Sequence, residues 1–478
     1  MTKIVMIGAG SAGFCRILVQ DILSVCGHED IHIALTDVDA ERLETTFKVM
    51  NRIKEQNGLR CTFSASTDRR ECLKDAGFAI SMIQVGGLEP YQTDISIPLK
   101  YGVDQCVGDT VGPGGVFRGL RHVPALLAML DDMQELCPDI IFMNYANPMA
   151  ICSWAMQKTY PKVLSVGLCH GVQHTTNMLC QWLGIAAQEV DVVTAGINHM
   201  AWFLKFSHQG VDLYPAICER LRDDGPIEGE EYRFEMMKAS GYFMTESPGH
   251  LSEYLPYFRT RREIQDLFGG AGFSGETGAY LRMCQQGFEY YNQQMANYAA
   301  GKERVPFALG ETSVEYAADI IQARVTGAPF RFAGNVLNKG YITNLPYDCC
   351  VEVPVFVDRD GLHGSFVGEL PPQCAALNQS NISMQELAVK AAIEGDREAA
   401  FHAVMLDPLT AAVLAPHEIR NMVEEMFEAQ SEWLPQFRGK VNSSPCASIG
   451  RLPTGATSRQ KTSSLQRVIG HYDKKESE

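Results

Sequence analysis

"KIVMIGAGSAGFCRILVQDILSVC", residues 3–26, decides the fold. Lys3 to Ile7 is a β-branched apolar run, and after Gly13 apolar residues recur at helical intervals. A second apolar run, "IHIALTD" at 31–37, follows. Strand, helix and strand within about forty residues make a βαβ unit. Gly8, Gly10 and Gly13 stand in G-x-G-x-x-G spacing between the first strand and the helix that opens at Ser11. Gly8 permits a tight turn, Gly10 lets backbone approach a pyrophosphate, and Gly13 allows the helix to pack closely on a strand. The helix N-terminus supplies positive potential. Asp37 ends the second strand, where a carboxylate holds ribose hydroxyls and repels a 2′-phosphate. The motif predicts a bound dinucleotide, NAD rather than NADP.

The same rhythm continues in "GFAISMIQVGG" (77–87), "PDIIFMNYANP" (138–148) and "KVLSVGLCHG" (162–171), with amphipathic stretches such as "RHVPALLAMLDDMQEL" (121–136) between them. This predicts an α/β protein whose Rossmann-type, doubly wound parallel sheet occupies residues 1–200, with its ligand crevice at the carboxyl ends of the strands. Beyond about residue 200 the pattern loosens. Helical spacing in 274–300 and 382–406 and a strand in "CCVEVPVFVD" (349–358) predict an elaborated mixed α+β lobe over 201–437 for substrate and oligomerisation. Residues 438–478, rich in Ser, Thr, Gly and basic residues, carry too little apolar surface to fold.

The formal net charge of −16 disfavours nucleic acid and anionic membranes as partners and leaves a small molecule. Fifteen cysteines without framework spacing, and no export signal, predict reduced thiols in a cytoplasm. No apolar stretch reaches the roughly 20 residues of a membrane span.

Candidate chemistry clusters just after the apolar runs. Cys169 and His170 follow one, and His199 in "AGINHMAW" (195–202) follows another. A soft thiolate and an imidazole suit a transition metal with positions left open for substrate oxygens. The Gly- and Pro-rich "GDTVGPGGVFRGLRHVP" (108–124) offers Asp109 as a polar contact and Arg118 or Arg121 as a cation. Asn147 ends another run beside Pro148, and "SPGHLSEYLPYF" (247–258) brings His250, Glu253 and Tyr254.

Taken in order, these stretches with "SGYFMTESPGHLSEY" (240–254), "GNVLNKGYITNLP" (334–346) and "MLDPLTAAVL" (405–414) resemble glycoside hydrolase family 4, most closely its melibiase branch. The resemblance covers nearly everything before residue 438. It implies NAD, a divalent metal, typically manganese, reducing conditions, and a homodimer or homotetramer. It makes Cys169 and His199 the metal ligands, gives Asn147 and Asn198 to sugar hydroxyls, and lays NAD on Gly8, Gly10, Ser11, Gly13 and Asp37. The implied reaction cleaves an α-galactoside by oxidation at C3, deprotonation at C2, elimination of the C1 substituent, addition of water and re-reduction. Tyr254 aligns with a tyrosine base of related branches, with His250 as its rival. His170 stands where those branches carry an acidic residue, as a proton donor or a sugar contact. Melibiases carry Cys-His-Ser-Val here and α-glucuronidases Cys-His-Gly; this chain has Cys-His-Gly-Val, so Gly171 opens space that a carboxylate at C6 would fit. α-Glucuronidase and α-galacturonidase activities are the family's alternatives. A hydroxy-acid or polyol dehydrogenase, or a non-catalytic NAD sensor, would share the glycine loop.

Overall fold

The two runs that flank the glycine loop form parallel neighbours, β1 (Thr2–Ile7) and β2 (Ile31–Thr36), joined by the Ala12–Val25 helix. The structure is a computed structural model that describes residues 1–440. The expectation for 438–478 falls, from residue 441 onward, outside the described residues. The later apolar runs form β3 (Thr62–Ala65), β4 (Phe78–Ser81), β5 (Ile141–Asn144) and β6 (Leu164–Gly167). These six are parallel in the order β3-β2-β1-β4-β5-β6. Between β1 and β4 the order reverses, which opens a crevice at their carboxyl ends. Local chemistry sets the connecting helices: Asp39 caps Ala40–Asn57 by accepting from the Glu41 and Arg42 amides, and left-handed Gly58 ends it.

The second half of the chain extends this same sheet. The strands β7 (Val190–Ile197), β8 (Met200–His208), β9 (Val211–Asp212), β10 (Phe330–Leu337), β11 (Cys350–Asp358) and β12 (Gly361–Gly364) add antiparallel pairs. β10 docks on β6, β11 on β10, and β7 on β11. One register row crosses the sheet: Thr36, Ile7, Ser81, Asn144, Gly167, Asn335, Glu352, Gly196 and Ala201 are successive partners. The glycine loop leaves this row at Ile7, and Cys169 lies just beyond Gly167. Three strand spacings, about 14 Å, separate those two exits. His199 sits in the turn between β7 and β8 on the same row's edge.

A continuous apolar core runs beneath the row, from Ile4 and Val5 through Phe142 and Val166 to Val353 and Val404. The predicted helices form as Ala279–Ala300, Pro372–Glu394 and Arg397–Leu406. No helix among the described residues is long and apolar enough to cross a membrane.

Candidate active site

Gly8 leaves β1 with a left-handed φ of 84°, and a Cβ there would stand 3.0 Å from the Met82 carbonyl oxygen. The Gly8 and Ala9 amides donate to the Thr36 carbonyl at 3.0 and 3.1 Å. Asp37 holds the loop from the other side, its Oδ2 accepting from the Gly10 amide at 2.7 Å and its Oδ1 from Asp39 at 2.9 Å. Each oxygen keeps a further lone pair for a ligand hydroxyl. Ser11 makes no side-chain capping bond, so the first-turn amides of the Ala12–Val25 helix are available to an anion. This cradle fits a dinucleotide pyrophosphate. Gly13 also meets a distant segment: the nearest group to its missing Cβ is the Tyr291 ring at 3.3 Å, so it admits the Ala279–Ala300 helix.

Cys169 and His199 converge, and a third residue joins them. Glu246 Oε2 accepts from the Cys169 thiol at 3.4 Å and lies 3.8 Å from His199 Nε2. The ligand atoms of the three lie within 4.8 Å of one another. Donors bound to one ion at about 2.1–2.3 Å with near-right or tetrahedral angles stand roughly 3.0–3.7 Å apart. Burial and the neighbouring His250 push His199 down to about 3, which leaves its imidazole neutral with a lone pair free. His199 Nδ1 is buried without a hydrogen-bond partner among the described residues. Burial opposes ionisation of Glu246, but the imidazoles of His199, His250 and His170 outweigh it and hold the carboxyl at about 2. Burial, then Glu246 and Glu352, drive the Cys169 thiol well above its usual range. Such a thiol binds a cation only by losing its proton. Thiol, neutral imidazole and carboxylate together fit a divalent transition metal. The space beside Gly171 is not open: a Cβ there would lie 2.3 Å from Glu246 Oε2.

The proton-transfer candidates pack around this centre. The His250 ring lies 4.1 Å from that of His199, centroid to centroid. Its Nδ1 bonds Ser247 Oγ at 2.9 Å, and it stands between Asp109 (Nε2 to Oδ1, 3.7 Å) and Glu246 (Nδ1 to Oε1, 3.8 Å). Burial alone would lower His250, but the two carboxylates raise it. Asp109 is held below the ordinary range, since His250, Arg118 and the Thr110 hydroxyl outweigh the cost of burial. The Tyr254 hydroxyl is fully buried and donates to the Asn198 carbonyl at 2.9 Å. Burial, with Asp109 and Cys169 close by, drives it well above 10. His170 stands at the start of the Gly171–Leu183 helix without a side-chain capping bond and turns to Glu315, Nδ1 to Oε1 at 3.1 Å. Burial would lower it, and Glu315 and Glu246 raise it.

Asn147 Nδ2 donates to Asp109 Oδ2 at 3.1 Å. Asn198 Nδ2 donates to Glu352 Oε2 at 3.0 Å, and its Oδ1 is buried without a partner among the described residues. Of the two candidate arginines, Arg118 reaches the Asn147 carbonyl at 3.1 Å, whereas Arg121 turns away to Asp94 at 2.5 Å. Glu253 is a scaffold residue that accepts from the Val107 and Gly108 amides. Sequence reasoning missed Glu246, Glu315 and Glu352. Only Glu352 carried a signal, as a lone carboxylate inside an apolar strand. Glu246 lies 77 residues from Cys169 and has no metal-motif neighbour.

Comparison with known proteins gives a consistent pattern. Residues 3–185 match the family described as Family 4 glycosyl hydrolase, and 194–410 its C-terminal domain. An α-galactosidase of Rhizobium meliloti (strain 1021) is 41% identical over 446 residues, 92% of this chain and 91% of that protein. An α-galactosidase of Bacillus subtilis (strain 168) is 39% identical over 440 residues, 92% and 100% of the two. Among solved structures, a 6-phospho-α-glucosidase from gut microorganisms in complex with NAD and Mn2+ superposes with a TM-score of 0.78 at 21% identity, over 91% of this chain and 99% of that one.

Proposed function

The chain belongs to family 4 of the glycosyl hydrolases, and from that premise we propose that it hydrolyses α-galactosides with NAD and a divalent metal ion, manganese first among the choices. The observation that carries the reading is the convergence, on one edge of one sheet, of a dinucleotide cradle and a thiol–imidazole pair. When bound, NAD supplies a hydride acceptor and donor for sugar C3, and the divalent ion supplies a Lewis acid for the C2 and C3 oxygens.

The chain's own residues do the rest. Gly8, Gly10, Ser11, Gly13 and Asp37 hold the dinucleotide; Cys169 and His199 hold the ion. Asn147 and Asn198 orient sugar hydroxyls, and Asp109 fixes Asn147 and faces His250. Oxidation at C3 makes the C2 proton acidic. In its neutral form His250 is the better-placed base for that proton, because its Nε2 makes no hydrogen bond among the described residues while the Tyr254 hydroxyl is committed to the Asn198 carbonyl. Tyr254 then positions the Asn198–His199 turn. His170, whose protonated form Glu315 and Glu246 favour, gives its proton to the departing C1 oxygen. Water adds to the unsaturated sugar, and bound NAD would serve as a catalyst without net consumption. A cytoplasmic location suits the reduced thiol that the site needs, and a homodimer or homotetramer is the assembly the family relationship favours.

A panel of nitrophenyl α-galactoside, α-glucoside and α-glucuronide, assayed with NAD, Mn2+ and a thiol reductant, tests the reading. The galactoside is expected to turn over fastest, without net NADH, and more slowly when deuterated at C2 or C3. Net accumulation of NADH would mark a dehydrogenase, and failure to cleave any glycoside would sink the proposal.

A further inference from the structure

Gly171 and Glu246 fit together as parts of one device. Glu246 holds a left-handed φ of 72°, a conformation that a non-glycine side chain adopts only under constraint. From there its carboxylate reaches over the first residue of the Gly171–Leu183 helix, into the volume that a Cβ on residue 171 would fill. Oε2 thereby faces both the Cys169 sulfur and His199 Nε2, at 3.4 and 3.8 Å.

We propose that Glu246 is a third protein ligand of the metal ion, and that Gly171 is the residue that admits it. The inference rests on Cys169 and His199 as the other two ligands. Both observations it combines are independent of that assignment: a strained backbone that aims a half-buried carboxylate, and a side-chain void shaped to that carboxylate's oxygen. A thiolate and a carboxylate together carry two negative charges, which match a divalent cation held beside the buried His199 imidazole. The ion then stands on three protein donors, with its remaining positions left for substrate oxygens. The same carboxylate occupies the room that a glycine after Cys-His offers, so in this chain that glycine serves the protein's own acid and not an acid on the sugar.

The test measures Mn2+ affinity of the NAD-free, reduced protein by the electron paramagnetic resonance signal of free Mn2+. Glu246→Gln keeps size and removes charge; it is expected to raise the Kd at least tenfold. Gly171→Ala removes no donor, yet its methyl group displaces Oε2, and it is expected to raise the Kd by threefold or more. Circular dichroism establishes that each variant is folded, and Gly171→Ala decides if Glu246→Gln does not fold. A Kd within threefold of the parent, in Glu246→Gln or in a Gly171→Ala variant standing in for it, overturns the proposal; a larger rise supports it. Cys169→Ser separates this inference from the reading beneath it. If Cys169→Ser abolishes Mn2+ binding while Glu246→Gln does not weaken it, only the third ligand is wrong; if Cys169→Ser binds Mn2+ like the parent, the metal assignment itself fails.

Discussion

His199 Nε2 stands 3.8 Å from Glu246 Oε2, and both residues hold left-handed backbone, with φ of 62° and 72°. Such a conformation costs a non-glycine residue about 1–2 kcal/mol. Two strained residues facing one another beside the half-buried Cys169 thiol imply a site whose geometry is imposed by the surrounding sheet and turn. His199 is held by the β7–β8 turn, which the Tyr254 hydroxyl fastens through the Asn198 carbonyl. Glu246 is held by the chain entering the Pro248–Tyr254 helix.

The glycine loop is testable apart from the metal. Gly10→Ala would place a methyl group 2.8 Å from Asp37 Oδ2, where the loop now closes. NAD affinity, measured by calorimetry, is expected to fall at least tenfold while Mn2+ affinity stays within twofold of the parent. Equal losses of both would mean general damage to the strand ends.

The two candidate bases separate by mutation. His250→Asn is expected to lower kcat by about 100-fold or more, in the range of lost acid–base catalysis. Tyr254→Phe loses a hydrogen bond to Asn198 and is expected to cost less than tenfold in kcat. A reversal of that order, with solvent exchange at C2 surviving in His250→Asn, would return the role to Tyr254.

Arg121 tests scaffold against site. It is buried against Asp94, and Gln430 bonds both of them. Arg121→Ala leaves a buried carboxylate uncompensated and is expected to lower unfolding free energy by about 3–5 kcal/mol. kcat/KM of the folded fraction is expected to stay within twofold, and a large drop would place Arg121 in the site.

Glu352 predicts a pH dependence of stability. Burial raises its carboxyl from 4.5 to about 7, opposed by the Asn198 and Asn335 amides. A carboxyl raised on folding favours the folded state when protonated, so its contribution is full below 4.5 and disappears as pH rises through about 7. That interval corresponds to about 3 kcal/mol. Glu352→Gln is expected to remove this slope from chemical denaturation measured between about pH 4.5 and 8, and an unchanged slope would assign it elsewhere.

Much of the architecture was legible because it is local. A β-branched run followed by G-x-G-x-x-G and helical periodicity permits few folds, and the small or polar residues after each apolar run mark the crevice edge. Cys169, His199, Asn147 and His250 could be singled out because each follows such a run or joins a polar cluster. Two neighbours came only with the third dimension. Gly13 meets the Tyr291 ring, and the void at Gly171 is filled by Glu246, because in each case the neighbour arrives from a distant segment.

The amino-acid sequence by itself determined the parallel half of the sheet, the glycine loop after its first strand and the family, since hydrophobic period, turn chemistry and motif order act over short stretches. Only the tertiary structure decided that β10, β11 and β7 continue the same sheet, that Arg121 belongs to Asp94 while Arg118 faces Asn147, and that Glu246 joins the thiol and the imidazole. Those outcomes depend on the register of pairing between remote strands and on which charges find partners once water is excluded, and neither is written in the spacing of residues along the chain.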